Sequence, residues 1–352
     1  MNLSLLERGI QLVEEVRGFD LIHCHDWLGA YCARALKHAY RIPMLATIHA
    51  TEYGRQQGLH TDWQRYISDV EWWLTYEAWR VVCCSEYMRT EVMSVFQLPA
   101  DKVRVIKNGV DPAAFQAASN RRREEFAGAG EQIVFFVGRL VPEKGVQVLL
   151  DAVPEVLKVR PAAKFLIAGT GPSEPWLKAK ARQLNIANRV AFLGYIDDDL
   201  RNSLYSWADA AVFPSTYEPF GLVALEAMAA KCPVVVADTG GLSETVEHGI
   251  DGLKCRPGDA RSLAGEILHL LCDREYAKYL KENAYRKIVE RYSWDEVAAM
   301  TANVYAEVLA EYKRGTWRRD TLKSWLGKPF IFSGLDGGFA GRSQETGRYT
   351  TS

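Results

Sequence analysis

Short apolar runs recur along this chain, and stretches with helical periodicity separate them. The runs read DLIHC, MLATI, RVVCC and VRVIK in the first third, followed by IVFFV, KFLIA, RVAFL, DAAVF and CPVVVA. Continuous apolar strands of this length, alternating with helices such as WLKAKARQL and RSLAGEILHLL, predict parallel sheets covered on both faces. The expected fold class is therefore α/β.

A polar, glycine-containing stretch, NRRREEFAGAGEQ at 120–132, interrupts the alternation and is the best candidate for a domain linker. We expect two Rossmann-like units, at 1–119 and 120–292, with a ligand cleft between them. An amphipathic helix at 293–313 is expected to cross over and pack against both units. The remainder, 314–352, is rich in Gly, Ser, Thr and Arg, which predicts a loosely ordered tail.

Composition excludes several classes of partner. The 352 residues are 48% hydrophobic and 25% charged, and the formal net charge of -1 gives no reason to expect nucleic acid or an anionic membrane. The longest apolar stretch, 221–237, is broken by Glu226, Lys231 and Pro233, and no charged-then-apolar leader is present. Seven cysteines without zinc-ligand spacing are typical of reduced thiols. We expect a cytoplasmic protein without a membrane span.

The most informative segment is ADAAVFPSTYEPFGLVALEAMAA at 208–230, which predicts a strand, a polar turn and a helix. The first-turn N–H groups of that helix lack partners within it and favour an anion such as phosphate. Glu218 lies at the helix entrance and Glu226 two turns inside. If both were helical, about 12 Å would separate them, so we expect them to contact different parts of one ligand. The alternative is two unrelated surface acids.

Arg139 and Lys144 follow the apolar run IVFFV, at the carboxyl end of a predicted parallel strand where open α/β sheets hold their ligands. Arg offers a planar fork and Lys a point charge, which together suit a diphosphate. The alternative is a loop with solvated basic residues.

Five motifs in order carry a family resemblance: NGVD at 108–111, VGRLVPEKG at 137–145, IAGTGP at 167–172, PSTYEPFGLVALEAMA at 214–229 and TGGLSETV at 239–246. The chain resembles the retaining glycosyltransferases of family four, a group that includes bacterial glycogen synthases, sucrose synthases and many cell-surface glycosyltransferases. The similarity extends from about Phe19 to Leu309. It implies a GT-B fold, with two Rossmann-like domains facing a cleft.

The resemblance also implies residue roles in the carboxyl-terminal, donor-binding domain. Glu218 would contact hydroxyls of the donor sugar and Glu226 the ribose, while Tyr195 would line the base pocket or simply pack. Gly240 and Gly241 would let the backbone approach the sugar, or form an ordinary turn. The diphosphate and sugar would be held by Gly138, Arg139, Lys144 and the backbone of Phe220, Gly221 and Leu222.

Two segments of the first third, HCHDWLGA and MLATIHATEYGR, resemble the HDW segment and the strand-end histidine of glycogen synthases. Asp26 and His49 are accordingly expected to join Glu218 as catalytic residues. His23 and His25 share one face of a strand. Because no third ligand with suitable spacing follows, we interpret them as structural and predict no metal site.

The implied reaction moves a hexosyl group, most specifically glucosyl, from ADP-glucose or UDP-glucose to an acceptor hydroxyl, with the anomeric configuration kept and no cofactor. An α-glucan is the expected acceptor, and a lipid or cell-surface acceptor is the alternative. Asp197, Asp198 and Asp199 form a D-x-D pattern, but they precede a predicted helix and are expected to cap it. A double displacement through Glu218 and Asp26, an inactive nucleotide-sugar-binding chain and a sugar-nucleotide 2-epimerase remain open.

Two further expectations concern the first domain. Only MNLSLLERGIQLVEEVRG precedes Asp20, whereas family members open with a strand and a Gly-rich loop near the donor phosphates. We therefore expect an incomplete first domain with an uncovered sheet edge, and impaired activity of the isolated chain. Of the ten tryptophans, Trp63 is a candidate for stacking on sugar rings, whereas Trp72 and Trp73 are expected in the core.

Overall fold

The computed structural model describes residues 2–16, 18–115 and 122–317. The predicted tail therefore lies outside the described residues from 318 onward, as does the start of the predicted linker at 120 and 121. The predicted boundaries between the two domains, the crossover helix and the tail stay predictions.

The amino-terminal domain is built on four parallel strands in the order β1-β2-β3-β4. Its strands are β1 (Ile22–His25), β2 (Met44–Ile48), β3 (Arg80–Cys83) and β4 (Val103–Val105). Its helices are α1 (Asn2–Glu15), α2 (Ala30–Tyr40), α3 (Glu52–Gln56), α4 (Asp62–Glu77) and α5 (Glu86–Phe96). Strand β1 forms one edge of this sheet.

The carboxyl-terminal domain is built on six parallel strands in the order β10-β9-β8-β5-β6-β7. Its strands are β5 (Gln132–Val137), β6 (Ala163–Ala168), β7 (Val190–Gly194), β8 (Ala210–Phe213), β9 (Val234–Ala237) and β10 (Leu253–Cys255). Its helices are α6 (Val146–Val159), α7 (Glu174–Gln183), α8 (Asp198–Trp207), α9 (Leu222–Ala229), α10 (Gly240–Thr245), α11 (Ala260–Cys272) and α12 (Arg274–Arg291). Helix α13 (Trp294–Arg314) follows.

The two parallel sheets confirm the predicted α/β fold class. Strands β2, β8 and β9 are buried along their whole length, as a parallel sheet with both faces covered requires. A single cluster of buried apolar side chains continues from Cys24 and Met44 of the first sheet to Phe135 and Phe213 of the second. The two domains are thus joined by apolar contact as well as by polar bonds.

Helix starts follow local capping chemistry. The Thr61 Oγ1 accepts the Gln64 N–H at 3.2 Å, and the Gln64 Oε1 accepts the Thr61 N–H at 3.0 Å, which is a complete capping box for α4. Ser85 caps α5 by accepting the Met88 N–H at 3.0 Å. These caps end the preceding strand or loop at a defined residue and so fix where the strand-end side chains point.

Helix α13 returns the chain to the amino-terminal sheet. Its Val304 packs with Leu45, Val82 and Ile106 of that domain. Its Tyr305 hydroxyl lies 2.8 Å from the His23 Nδ1. Helix α13 therefore crosses from α12, which packs on α9, to the first sheet.

Two sequence expectations about aromatic and strand positions need correction. Trp72 is 49% exposed and stacks on Tyr76 at the surface, so the expectation that it lies in the core was wrong. Trp73 is partly buried against the core, as expected. Strand β10 was not predicted, because its three residues include Lys254 and do not form a continuous apolar run. Among the described helices, none combines the length and apolar character needed to cross a membrane.

We expect Gly145→Ala to destabilise the carboxyl-terminal domain more than Gly258→Ala does. Both glycines have a left-handed φ, 72° and 73°, so the two substitutions share the backbone cost of about 1–2 kcal/mol. A Cβ at Gly145 would also overlap the Pro214 carbonyl oxygen, whereas nothing lies within 4 Å of one at Gly258. The overlap should add about 1–3 kcal/mol, measured as the difference in urea unfolding. Equal losses in the two variants would contradict this packing.

We expect His23 to make the protein less stable in mild acid. Burial lowers the pKa of His23 from 6.5 to about 4, with further lowering from His25 and His49. Between these two values the unfolded chain binds a proton that the folded chain does not, so the free energy of unfolding falls as pH falls and is unaffected above the unfolded pKa. From about pH 7 to pH 5 the wild type should lose about 1–2 kcal/mol more than His23→Gln in urea titrations. Identical losses would show that His23 does not carry the effect.

Candidate functional site

Asp26 and His49 follow the carboxyl ends of the neighbouring strands β1 and β2. The Asp26 Oδ1 accepts the backbone N–H of His49 at 2.9 Å. Asp26 has a φ of 53°, which is strained for a residue other than glycine. The bond to His49 helps to hold this conformation. The structure thus brings together two of the three predicted catalytic residues.

His25 was interpreted as structural, but it contacts a predicted site residue. Its Nδ1 lies 3.0 Å from the His49 Nε2, and the two rings stack with centroids 5.3 Å apart. Burial lowers the pKa of His25, with a further contribution from His49 that Asp26 opposes. One ring must donate and the other accept, so the contact fixes the tautomers of the pair relative to each other. The sequence signal for it was the position of both histidines at the ends of adjacent parallel strands.

Lys144 and Glu218 form an ion pair on the other domain. The Lys144 Nζ lies 2.7 Å from the Glu218 Oε2, and the Ser215 hydroxyl donates to the same oxygen at 3.2 Å. Glu218 is only 7% exposed, so its carboxylate depends on these partners. Lys144 follows β5 and Glu218 follows β8, and these two strands are hydrogen-bonded neighbours. The structure therefore brings these two predicted donor-binding residues together.

Arg139 lies in the same loop after β5 as Lys144, and its guanidinium is exposed. Its side chain is 69% exposed, and one guanidinium nitrogen is 3.6 Å from the Glu143 Oε1. The Glu143 carbonyl accepts the Thr216 N–H at 2.8 Å, which ties the Arg139 loop to the loop that carries Glu218. Gly138 begins the Arg139 loop and donates its N–H to the Ala168 carbonyl at 3.1 Å. Lys144 is thus held by an acid, while Arg139 remains accessible to an anionic ligand.

The amino-terminal end of α9 supplies backbone donors next to Glu218. Gly221, at the N-cap, has a φ of 95°, and in the described part of the chain no side chain caps this helix. Phe220 is buried, whereas Leu222 is 42% exposed at the first helical position. Unpaired N–H groups at a helix start attract anions. This end of α9 can therefore bind an anionic group.

Gly240 and Gly241 have a clear packing reason. A Cβ on Gly240 would overlap the Glu218 carbonyl oxygen, and one on Gly241 would overlap the Phe220 Cα. The Gly241 N–H donates to the same Glu218 carbonyl at 2.8 Å. The two glycines thus let the start of α10 contact the Glu218 loop directly. This contact explains them without any approach to a sugar.

The two groups of site residues approach each other across the domain interface. The Cys84 Sγ lies 3.9 Å from the His49 carbonyl oxygen and 3.8 Å from the Pro219 carbonyl oxygen. The Ser85 hydroxyl donates to Pro219 at 2.6 Å. Neither residue was singled out as a site residue from the sequence. The Cys84 side chain therefore contacts both His49, at the end of β2, and Pro219, the residue after Glu218.

Glu226 contacts residues of α8, and Tyr195 precedes that helix. The Glu226 Oε2 is 3.5 Å from the Tyr205 hydroxyl and 3.9 Å from the Arg201 Nε. Burial raises the pKa of Glu226, and Arg201 opposes that shift. Tyr195 is 84% exposed and lies between β7 and α8. Glu218 and Glu226 thus have different polar partners, and their contact with different parts of one ligand stays a prediction.

The D-x-D pattern behaves as a helix cap. The Asp197 Oδ1 accepts the Leu200 N–H at 2.8 Å at the start of α8, and Asp198 pairs with Arg201 at 2.9 Å. The predicted capping role is confirmed for Asp197, while Asp198 and Asp199 lie in the first turn of the helix. Within the described ranges, no group of three or more His, Cys, Asp or Glu side chains is arranged to hold a metal ion.

Comparisons with known proteins agree with this geometry. The family Glycosyl transferases group 1 matches residues 118–287, and Glycosyltransferase Family 4 matches residues 2–114. An uncharacterized glycosyltransferase of Methanocaldococcus jannaschii is 41% identical over 293 residues, covering 82% of this chain and 75% of that protein. A glycogen synthase of Mycobacterium tuberculosis is 38% identical over 291 residues, covering 81% and 68%.

Among solved structures, HepE of Anabaena in complex with UDP aligns with a TM-score of 0.75 and 25% identity, covering 86% of this chain and 82% of that one. The two parallel sheets, the strand-end residues and these matches lead to one conclusion. The chain belongs to the glycosyltransferases, with a Family 4 domain followed by a group 1 domain in a GT-B fold.

Proposed function

We propose that this glycosyltransferase moves a glucosyl group from ADP-glucose or UDP-glucose to the hydroxyl of an α-glucan, with retention of configuration. The observation that carries the proposal is the Lys144–Glu218 ion pair beside the uncapped start of α9. The similarity to a glycogen synthase and to a UDP-bound structure supports the choice of sugar and nucleotide. Free thiols at all seven cysteines support a cytoplasmic location.

The leaving group explains why cations are needed. A nucleoside diphosphate departs as an anion, so fixed positive charge near its oxygens lowers the barrier to departure. In the proposed complex, Lys144, Arg139 and the first N–H groups of α9 provide that charge. Glu218 accepts hydrogen bonds from donor-sugar hydroxyls, Glu226 binds the ribose, and Tyr195 lies against the base. No metal ion is needed for this arrangement.

The amino-terminal domain contributes the other side of the reaction. The His49 imidazole, held by His25, contacts the transferred sugar, and Asp26 holds the His49 backbone in place. The acceptor hydroxyl attacks the anomeric carbon on the face that the diphosphate vacates. Its proton passes to the departing phosphate oxygen, so neither carboxylate has to act as a nucleophile.

An exposed aromatic surface supports a glycan acceptor. Trp63 is 63% exposed and stacks on Tyr66, with ring centroids 5.2 Å apart. Trp27 meets Trp63 edge to face and directly follows Asp26. Exposed apolar patches of this kind mark binding surfaces, and aromatic rings combine an apolar face with a wet edge. A chain of sugar rings reaching from the site along α4 would meet this surface.

Replacing Lys144 should remove donor turnover. We expect Lys144→Met to lower kcat/KM for the donor about 10²–10³-fold, the usual loss on removing one fixed transition-state donor. Lys158→Met is the matched control, because Lys158 lies on α6 with its side chain 67% exposed. Product formation from ADP-glucose and UDP-glucose with maltooligosaccharides, with and without EDTA, is followed by mass spectrometry. Donor binding without any turnover in the wild type would favour an inactive nucleotide-sugar-binding chain.

The aromatic surface should affect the acceptor and not the donor. We expect Trp63→Ala to raise the KM for maltooligosaccharides about tenfold, since one lost stacking contact of about 1–1.5 kcal/mol corresponds to that factor. The donor KM should stay unchanged. Trp176→Ala is the control, because Trp176 is 54% exposed but lies on α7 of the other domain. A different result would be a wild type that transfers no sugar to maltooligosaccharides but transfers it to a lipid-linked acceptor, with that transfer lost in Trp63→Ala. That result would identify the acceptor as the lipid-linked alternative and not an α-glucan.

A further inference from the structure

Tyr217 directly precedes Glu218, but its side chain contacts the other domain. The residue is 5% exposed, and its hydroxyl donates to the Glu91 Oε1 on α5 at 2.9 Å. Packing alone would be served by a phenylalanine at this position. The hydroxyl therefore has a specific partner across the domain interface.

The same Glu91 oxygen connects to the segment that follows His49. It accepts the Thr51 hydroxyl at 2.6 Å. Thr51 is fully buried and caps α3, with its Oγ1 accepting the Gly54 N–H at 2.9 Å. A continuous set of hydrogen bonds thus leads from the neighbour of Glu218 to a residue two positions after His49.

Gly54 shows how close this contact is. It lies within α3 with an ordinary helical backbone, where glycine is less favourable than alanine by about 1 kcal/mol. A Cβ at this position would overlap the Tyr217 hydroxyl and lie 2.6 Å from the Glu91 Oε1. Glycine is needed because Tyr217 lies directly against the α3 backbone.

The protonation of Tyr217 agrees with a donor role. Burial raises the pKa of Tyr217, and the Glu91 charge and its hydrogen bond raise it further. The hydroxyl therefore stays protonated throughout the neutral range and donates a hydrogen bond to Glu91. Other polar contacts also join the domains: the Ser85 hydroxyl donates to the Pro219 carbonyl, next to Glu218, and Glu244 accepts the Glu86 and Tyr87 N–H groups of α5. Among these contacts, the Tyr217 bond is the one that leads on to Thr51.

We propose that Tyr217, Glu91 and Thr51 form an interdomain bridge that sets the position of His49 relative to Glu218. Tyr217 is then a positioning residue for glycosyl transfer, and this role rests on the proposed function. Each end of the bridge is one or two residues from a side chain assigned to the sugar. Displacements of about 1 Å at a reacting centre can lower a rate about 100-fold, so a bridge at this place affects kcat more than binding.

Tyr217→Phe keeps the ring and removes the hydroxyl. We expect kcat for transfer to fall at least about tenfold, with the Kd for the donor, from isothermal titration, within about twofold. Hydrogen exchange of the α3 amides should become faster in the same variant, because Thr51 loses its anchored partner. Tyr53→Phe is the matched control, since Tyr53 is on α3 itself and 44% exposed. It should leave kcat and exchange unchanged.

Thr51→Val tests the other end of the bridge. Thr51→Val also removes the α3 cap, but on one bridge the two losses should not add, so the double variant should lose less kcat than the product of the two single fold-losses. Additive losses, an unchanged kcat in Tyr217→Phe, or a lower kcat with unchanged α3 exchange would each overturn the proposal. If the wild type transfers no sugar, the proposed function fails. The exchange rates of α3 in the variants then decide whether the bridge exists.

Discussion

The burial of the Glu218 carboxylate is the constraint on which the site depends. A charged carboxylate that is 7% exposed is stable only if it is paired and hydrogen-bonded, because its desolvation costs several kcal/mol. Lys144 and Ser215 meet that need, and Lys144 can do so only if the loop after β5 lies against the loop after β8. Gly145 permits this approach by leaving room for the Pro214 carbonyl. One ion pair therefore fixes the relative position of two strand ends.

Burial of the parallel strands on both faces explains which parts of the fold could be predicted from the sequence. Nine strands were predicted from their apolar runs, since a parallel strand with both faces covered needs a continuous run of such residues. The tenth, Leu253–Cys255, was missed because it is short and contains a lysine. Trp72 was misplaced because its neighbour Trp73 points inward, and a helical pattern alone does not say which of two adjacent residues is buried.

The candidate site was predictable within each domain and not between them. Lys144 and Glu218 could be placed near each other because each follows the carboxyl end of a parallel strand, whereas Asp26 and His49 were identified by their resemblance to glycogen synthases. His25 satisfies the same rule and was set aside only for want of a third metal ligand. The contact between Tyr217 and Glu91 joins residues 126 positions apart in separate domains, and no local pattern encodes such a pair.

The two domains contribute different kinds of polar group to the candidate site. The carboxyl-terminal side carries fixed cations and helix N–H groups, while the amino-terminal side presents a pair of mutually hydrogen-bonded histidines whose pairing requires a neutral ring. Because the two sets of residues follow strands of separate sheets, the alignment between them depends on the domain interface. An apolar interface alone tolerates sliding, whereas directional hydrogen bonds such as those of Ser85 and Tyr217 do not.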